Sequence, residues 1–582
     1  MTLAQRVAVI GGAGSFGRIL VEGLLATTDC HVVVCGRSAA HADEVVAAFP
    51  NYAERLSASV IDRSKATTSD VTALGAFCVV DAAGPFQAQR PTFARAVIEA
   101  GAHYVDLADA RDFVAGFGAL DELAKAHGVL ALTGASSTPA LSHAVIDDLT
   151  RGWTRIDDIQ IGISPGNQST PRGLAVFQSI LSYVGRPVRV WRFGRWTTAP
   201  GWGLTVRRRM ADLGKRMLSL AETPDLDLVP QRFPSVRTAI FRAGLELSVL
   251  HSGLMILGAL VRAGLMKSLV PLAEPLRDAA TLFRGLGSDC GGMTVDVDGI
   301  YADGTRLAVT WTLIAESGDG PKIPTLPALI IVRQLLQGKL AQRGAMPCVG
   351  VLDLAALEAE FQRFDIRTER ESRVLERRSL FQRALKGFDN MPAVVRDAHM
   401  IDPAADLVGE VDVEGAANWI GRLVARVFSF PRPGEDLSAE VTIERDGDGE
   451  VWIRRFGGRE FRSYLNAANG MLTERFGAIT FDLDARADKR GFSLMIEQAR
   501  IGGLTLPRFL TPNTSASADI DREGRYRFDV TIELPYIGRL VGYTGWLAAR
   551  GSSRSLVASE RDASHVEIDE NEGGAVISAP SP

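Results

Sequence analysis

The sequence predicts an α/β chain in three parts: a doubly wound parallel sheet, a second α/β domain with a largely antiparallel sheet, and a β-rich C-terminal domain. Three observations predict it. Through residues 1–150, short apolar runs alternate with helical patterns. In the middle region, Thr294-Val-Asp-Val-Asp-Gly299 and Arg306-Leu-Ala-Val-Thr-Trp-Thr-Leu313 alternate at period two across Ala302-Asp-Gly304, which reads as a hairpin. Near the C-terminus, Tyr526-Arg-Phe-Asp-Val-Thr-Ile-Glu-Leu534 alternates apolar and polar without a break, the pattern of a half-buried strand.

Composition narrows the function classes. At 582 residues the chain has room for about three domains. Its 46% apolar and 23% charged residues are those of a globular protein, and a net charge of −5 argues against a nucleic-acid binder. Five scattered cysteines without C-x-x-C spacing suggest free thiols in a reducing cytoplasm and no metal site. The first strand begins almost at once, so no signal peptide is expected.

Strands read at 6–10, 31–35, 58–61, 77–81, 103–106 and 129–132. The first leads into Gly12-Ala13-Gly14-Ser15-Phe16-Gly17 and then a helical pattern. Gly12 permits the tight turn, Gly14 lets backbone approach a pyrophosphate, and Gly17 lets the helix pack closely. The helix N-terminus offers free N–H groups to phosphates. This is a dinucleotide fingerprint in its proper strand–turn–helix setting, and the domain is read as a Rossmann domain.

The second strand ends in Gly36-Arg37-Ser38, where an NAD site would carry Asp or Glu for the ribose 2′-hydroxyl. A guanidinium at Arg37, with Ser38 beside it, suits a 2′-phosphate instead, so NADP is favoured. Asp62, ending the third strand, is a candidate for the adenine amino group or simply a turn residue. Ligands in such sheets lie beyond the strands' carboxyl ends. After the fourth strand, Ala83-Gly84-Pro85-Phe86 is expected against the nicotinamide half. After the fifth come Tyr104, Asp106 and Asp109. The sixth leads through a hydroxyl-rich loop to His143. Tyr104, Asp106, Asp109 and His143 are the candidate proton-transfer groups, each with a plain structural alternative such as capping or packing.

The ordered set GGAGSFG, CGRS, DAAGPF, EAGAHYVDLAD and TGASSTPALS resembles the saccharopine dehydrogenase/reductase-like family, over residues 1–150 and more weakly to about 370. The resemblance implies an oxidoreductase fold using NADP(H) or NAD(H), with substrate between two domains. The chain departs from the lysine-pathway enzymes of that family, because no set of basic and hydroxyl residues for an amino-diacid is identifiable. In the middle region Arg172 is a candidate anion anchor and Lys322 a weaker one.

Residues 370–384 are charge-dense and read as a linker or exposed helix. The set WIRRFG, FRSY, ERFG, LPRFL and LPYIGRLVGYTGWL beyond them resembles an uncharacterised domain often fused behind saccharopine-dehydrogenase-like modules. Trp452, Arg455, Phe456 and Arg508 are candidates for lining a pocket for an apolar acid or lipid head group. The expected boundaries are 1–150, 151–370 and 385–550, with 551–582 a disordered tail.

The most apolar stretch, Leu247 to Val261, is too short to span a bilayer and reads as part of a buried helical hairpin, with a membrane-surface element as the alternative. The functional expectation is a cytoplasmic NADP-dependent oxidoreductase acting on a small molecule. Its rival is a non-catalytic NADP(H)- or apolar-ligand-binding protein, peripheral to a membrane through 247–272. A homodimer is compatible with either, and a scaffold role lacks repeats or heptads to support it.

Overall fold

The computed structural model describes residues 5–169, 173–428, 430–468, 471–502 and 504–550. The chain divides at Val374/Leu375 into two compact units, each with its own core.

The first unit opens with β1 (Arg6–Ile10), α1 (Ser15–Thr27), β2 (His31–Gly36), β3 (Leu56–Val60), β4 (Cys78–Asp81), β5 (His103–Asp106) and β6 (Leu130–Thr133). These strands pair in parallel in the order β6-β5-β4-β1-β2-β3. All four residues of β4, β5 and β6 are buried, as expected where helices cover both faces of a parallel sheet. Strand order reverses at β1, which lies between β2 and β4, the switch point at whose carboxyl ends open α/β sheets bind ligands. The sheet does not end with the sixth strand. Gly344–Pro347, expected in the second domain, adds in parallel beside β6, where Asp121 Oδ1 accepts the Ala345 N–H at 2.9 Å.

The rest of the first unit builds a mixed nine-stranded sheet mostly from antiparallel pairs, with Thr238–Ala243 parallel to Trp153–Ser164. The hairpin of Gly291–Tyr301 and Arg306–Ala315 turns where the sequence indicated. Two expectations are corrected. Residues 370–384 are neither a linker nor one exposed helix: 370–374 belong to Ile366–Val374, which pairs antiparallel with Arg306–Ala315 at the sheet edge, and Leu380–Ala384 is a helix with Leu380, Phe381 and Ala384 buried. The Arg/Glu run of Ile366–Val374 suits a strand whose edge must stay in water. The apolar stretch is not a buried hairpin. Ser248–Arg262 is one helix, with only His251 and Gly258 buried and with Val249 and Ile256 each 64% exposed.

In the second unit ten strands form an up-and-down barrel: Ala404–Glu414, Gly434–Asp446, Gly449–Phe456, Arg459–Ala468, Met471–Phe476, Ile479–Ala487, Phe492–Ile501, Asn513–Ile520, Tyr526–Leu534 and Gly538–Ala549. Each pairs antiparallel with the next, and the last pairs with the first, so the sheet has no open side. The short strand Leu504–Thr505 hangs on Phe492–Ile501. The barrel interior is not filled by side chains. It holds a cavity of about 210 Å³ walled by Phe, Leu, Ile and Val. An apolar void of that size left empty costs on the order of 5 kcal/mol, at roughly 24 cal/mol per Å³. The expected tail, 551–582, lies outside the described residues.

Candidate functional site

At this switch point, the turn from β1 into α1 is set by glycine geometry. The left-handed residue is Gly11 (φ +72°) rather than Gly12. A Cβ on Gly12 would sit 2.9 Å from Val34 of β2, and one on Gly17 would sit 2.0 Å from the Gly11 carbonyl oxygen. Gly17 therefore brings the first helical turn onto the glycine loop itself. α1 starts at Ser15, after Gly14 at the cap position, with no side-chain cap and no acidic residue in its first turn. Its N–H groups and positive dipole end are left for an external anion. A Cβ on Gly11 would stand 3.0 Å from Ala83, so the glycine loop and the loop after β4 form one continuous floor, with open space above Gly84.

The candidate nucleotide residues divide on this floor. Arg37 is exposed at the end of β2. Ser38 spends its hydroxyl as the cap of helix Ala39–Ala47, accepting the His41 N–H at 3.3 Å. Asp62 accepts from Ser64 N–H (3.0 Å) and Oγ (2.7 Å), the turn role that the sequence left open, and these bonds lower its pKa. It borders a shallow depression with Val60, Lys65 and Ala66. Phe86, expected against the nicotinamide, points inward instead and packs on Phe113 with ring centres 5.2 Å apart.

Three of the four proton-transfer candidates are internal. Tyr104 is 1% exposed, with its hydroxyl 3.4 Å from Asp81 and its ring stacked on Phe117. Asp106 is fully buried. Its Oδ1 accepts from Ala108 N–H (3.0 Å), Gly134 N–H (2.7 Å) and Thr133 Oγ1 (2.9 Å), tying β5 to the loop after β6. Its Oδ2 has no partner, and burial pushes the carboxyl up to about 7. His143 is buried too. Burial, with Arg232 at 2.8 Å from Nδ1, pushes it down to about 3, so its ring is neutral. Nε2 lies 3.9 Å from Asp225, a buried carboxyl raised to about 7 that also bonds Thr138 and Ser142.

Asp109 differs. It still touches solvent, although the protein atoms crowding its carboxylate raise its pKa. Gln87 Nε2 donates to it at 3.2 Å, and Ser179 of helix Leu174–Tyr183 approaches at 3.4 Å. Gln87 Nε2 also donates to Ser179 at 2.6 Å, while its buried Oε1 lacks a partner. Tyr183, at the end of that helix, has its phenol pKa raised by burial and by the charges of Asp109 and Glu222. Glu222 is raised by burial, against the pull of Arg111 3.9 Å away. Arg111 is itself locked by two bonds to Asp227, at 2.6 and 2.5 Å.

This group of Gln87, Asp109, Ser179, Tyr183 and Glu222 joins the carboxyl ends of β4 and β5 to elements far along the chain. Sequence reasoning reached only Asp109 and the loop carrying Gln87. The acids after Lys215–Leu220 (Glu222, Asp225, Asp227) were a legible signal; nothing marked Ser179 or Tyr183. Arg172 lies outside the described residues. Lys322 is held by Asp319 at 2.6 Å and lies over the Phe364 ring, so it is not a cleft residue.

In the barrel, strand alternation decides which candidates line the cavity. Trp452 and Phe456 do, and Arg454 between them does as well. Arg455 faces outward and pairs with Glu440 (2.8 Å) and Glu460 (2.7 Å), and Arg508 is exposed at the end of the barrel.

All five cysteines are free. No helix among the described residues is long and apolar enough to cross a membrane.

Residues 7–139 match the family model described as Saccharopine dehydrogenase NADP binding domain, and residues 391–547 match Domain of unknown function (DUF4166). No curated protein matches the chain. Among solved structures, saccharopine dehydrogenase (L-Glu forming) from Saccharomyces cerevisiae is similar at 14% identity and TM-score 0.46, over 64% of this chain and 100% of that one. GenD2 from gentamicin A biosynthesis, in complex with NAD, is similar at 16% identity and TM-score 0.27, over 53% of this chain and 72% of its own. The chain thus joins a saccharopine dehydrogenase NADP binding domain, at residues 7–139, to a DUF4166 domain, at residues 391–547.

Proposed function

We propose that the first unit is an NADP-dependent oxidoreductase whose substrate lies over the carboxyl ends of β4 and β5. The observation that carries the reading is the uncapped, acid-free start of α1 on a floor shared with Ala83 and Gly84. That floor fits a dinucleotide: amides and helix dipole for the pyrophosphate, open space at Gly84 for the nicotinamide half, and Arg37 for a 2′-phosphate. The nucleotide, when bound, supplies hydride exchange with a carbonyl, imine or alkene.

The chain's own residues do the rest. Asp109 is the proton-transfer group, because it alone of the four candidates reaches solvent and its raised pKa lets it hold a proton nearer neutrality. Gln87 and Ser179 orient its two oxygens. Tyr183 stays protonated and can donate, and Glu222 gives a second polar wall. Tyr104, Asp106 and His143 are structural in this reading: Asp106 holds the loop that carries Asp109 through Ala108 N–H, Tyr104 packs on Phe117, and His143 packs against Arg232.

Titration calorimetry with NADPH and NADH tests it. Wild type is expected to prefer NADPH. Gly14→Asp, which sets a carboxylate at the phosphate-facing helix start, should weaken binding about 100-fold, or about 2.7 kcal/mol. Arg37→Asp should lose the NADPH preference and retain NADH binding. A folded wild type that binds neither nucleotide would sink the reading.

A further inference from the structure

The barrel cavity has a wall of unusual economy. Among the described residues only two charged side chains reach it, Arg454 and Glu474, and they face each other at 3.3 Å. Arg454 also donates to Ser463 Oγ at 2.8 Å and lies over the Trp452 ring at 4.8 Å. The pair is mostly shielded, with side-chain exposures of 11% and 16%. Thr514 adds a buried hydroxyl without a partner. Everything else is chiefly Phe, Leu, Ile and Val.

The two ends of the barrel differ. At one, Phe381 and His399 pack on Trp452, Phe492 and Tyr526 and plug the opening. At the other lies the helix Trp419–Val427, whose Val424 lines the cavity while Trp419 (68%) and Leu423 (59%) face solvent. Asn418 anchors this helix by donating to the Ile537 carbonyl at 2.6 Å, beside exposed Tyr536. Register puts the segment carrying Leu504, Phe509 and Leu510 at the same end, since Asn513 pairs with Glu533. The helix bears Arg422 and Arg426 and no acid. A helix apolar on its inner and outer faces is one that lacks its outer partner.

We propose that the barrel binds one lipophilic molecule ending in an uncharged oxygen (a long-chain alcohol, aldehyde or ketone) and takes it from an anionic bilayer at the Trp419–Val427 end. The chain of the ligand fills the apolar cavity and replaces the void. Its oxygen meets the Arg454–Glu474 pair: a carbonyl accepts from the guanidinium, and a hydroxyl also donates to the carboxylate. A carboxylate tail would lie against Glu474 in a dry wall, and an ammonium against Arg454, so charged ends are disfavoured. The aromatic and aliphatic rim sinks among acyl chains while Arg422 and Arg426 meet anionic headgroups. The proposal does not rest on the oxidoreductase reading.

The test is binding of N-phenyl-1-naphthylamine to the full chain without nucleotide, followed by displacement. One saturable site per chain is expected, with dodecan-1-ol and dodecan-2-one displacing the probe about 10-fold better than dodecanoate. Glu474→Gln should bring dodecanoate level with the alcohol. Ala518→Phe, which fills the cavity, should abolish probe binding with the melting temperature kept or raised. Trp419→Glu/Leu423→Glu should slow dodecan-1-ol transfer from phosphatidylglycerol vesicles about 10-fold, with equilibrium displacement unchanged. The site is overturned by absence of saturable binding in the folded wild type, or by full binding in Ala518→Phe. Its ligand class is overturned by dodecanoate matching or exceeding the alcohol in wild type. Transfer from vesicles that is indifferent to the rim variant overturns the bilayer route.

Discussion

The two β-structures of this chain use their interiors in opposite ways. In the parallel sheet every residue of β4, β5 and β6 is buried, and the interior is packed solid, so the candidate site sits beyond the strand ends. In the barrel, inward side chains of ten strands leave about 210 Å³ unfilled, and the candidate site is the interior itself. The difference follows from closure. An open sheet sandwiched by helices has no space except where strand order reverses, whereas a ring of ten strands has a circumference that side chains alone do not fill.

Each region also holds deeply buried carboxyls raised to about 7: Asp106 and Asp225 in the first, and Glu450 in the second, where it accepts from Leu380 N–H (3.2 Å) and Trp452 Nε1 (3.1 Å). For Asp106 and Glu450 the folded state holds the proton more tightly than the unfolded one. Their contribution to stability is therefore greatest below about pH 4 and declines as pH rises toward 7. At about 1.4 kcal/mol per pKa unit, Asp106 accounts for up to roughly 4 kcal/mol across that window. Urea denaturation of wild type against Asp106→Asn should show the difference shrinking in this sense. An unchanged gap from pH 4 to 7 would mean that the buried carboxyl is already ionised. Glu450→Gln repeats the measurement for the barrel unit.

A sharper contrast uses one substitution in two places. Ala131 in β6 is fully buried in packed core, and Ala518 lines the cavity. Ala131→Leu should destabilise by about 1–3 kcal/mol through overpacking. Ala518→Leu should stabilise by about 0.5–1 kcal/mol by filling space. Equal destabilisation at both sites, read from chemical denaturation midpoints, would mean that the barrel interior is as tightly packed as the sheet.

The smallest expected effect compares the two exposed apolar helices. In flotation with anionic vesicles, Val249→Glu/Ile256→Glu should reduce recovery a few-fold at most, since Ser248–Arg262 carries its only basic residue, Arg262, in the last turn. The rim variant at Trp419 and Leu423 should remove most of it. The reverse ranking would move membrane contact to residues 247–272.

Much of the fold was legible because local pattern and burial agree there. Short β-branched apolar runs bounded by turn residues read as strands covered on both sides, and an unbroken alternation such as Tyr526–Leu534 reads as a strand with one dry face, whereas the longer apolar stretch 247–261 is a helix. The charged run 370–384 misled at its start for a physical reason: 370–374 lie in an edge strand in water, which carries no apolar signature to distinguish it from a linker. The glycine loop was readable down to the residue, but its left-handed turn fell one position earlier, at Gly11.

By itself the sequence determined most element types, the glycine-rich, uncapped start of α1 and the Arg37 position, all of which depend on neighbours within a few residues. Only the tertiary structure decided that Asp109 reaches solvent while Tyr104, Asp106 and His143 do not, and that Ser179, Tyr183 and Glu222 stand with it. Alternation groups Arg454 with Trp452 and Phe456, and only barrel closure decided that this face, not that of Arg455, looks into the cavity. A local period of two says which residues share a face, but which face is buried is set by contacts between residues tens to hundreds of positions apart.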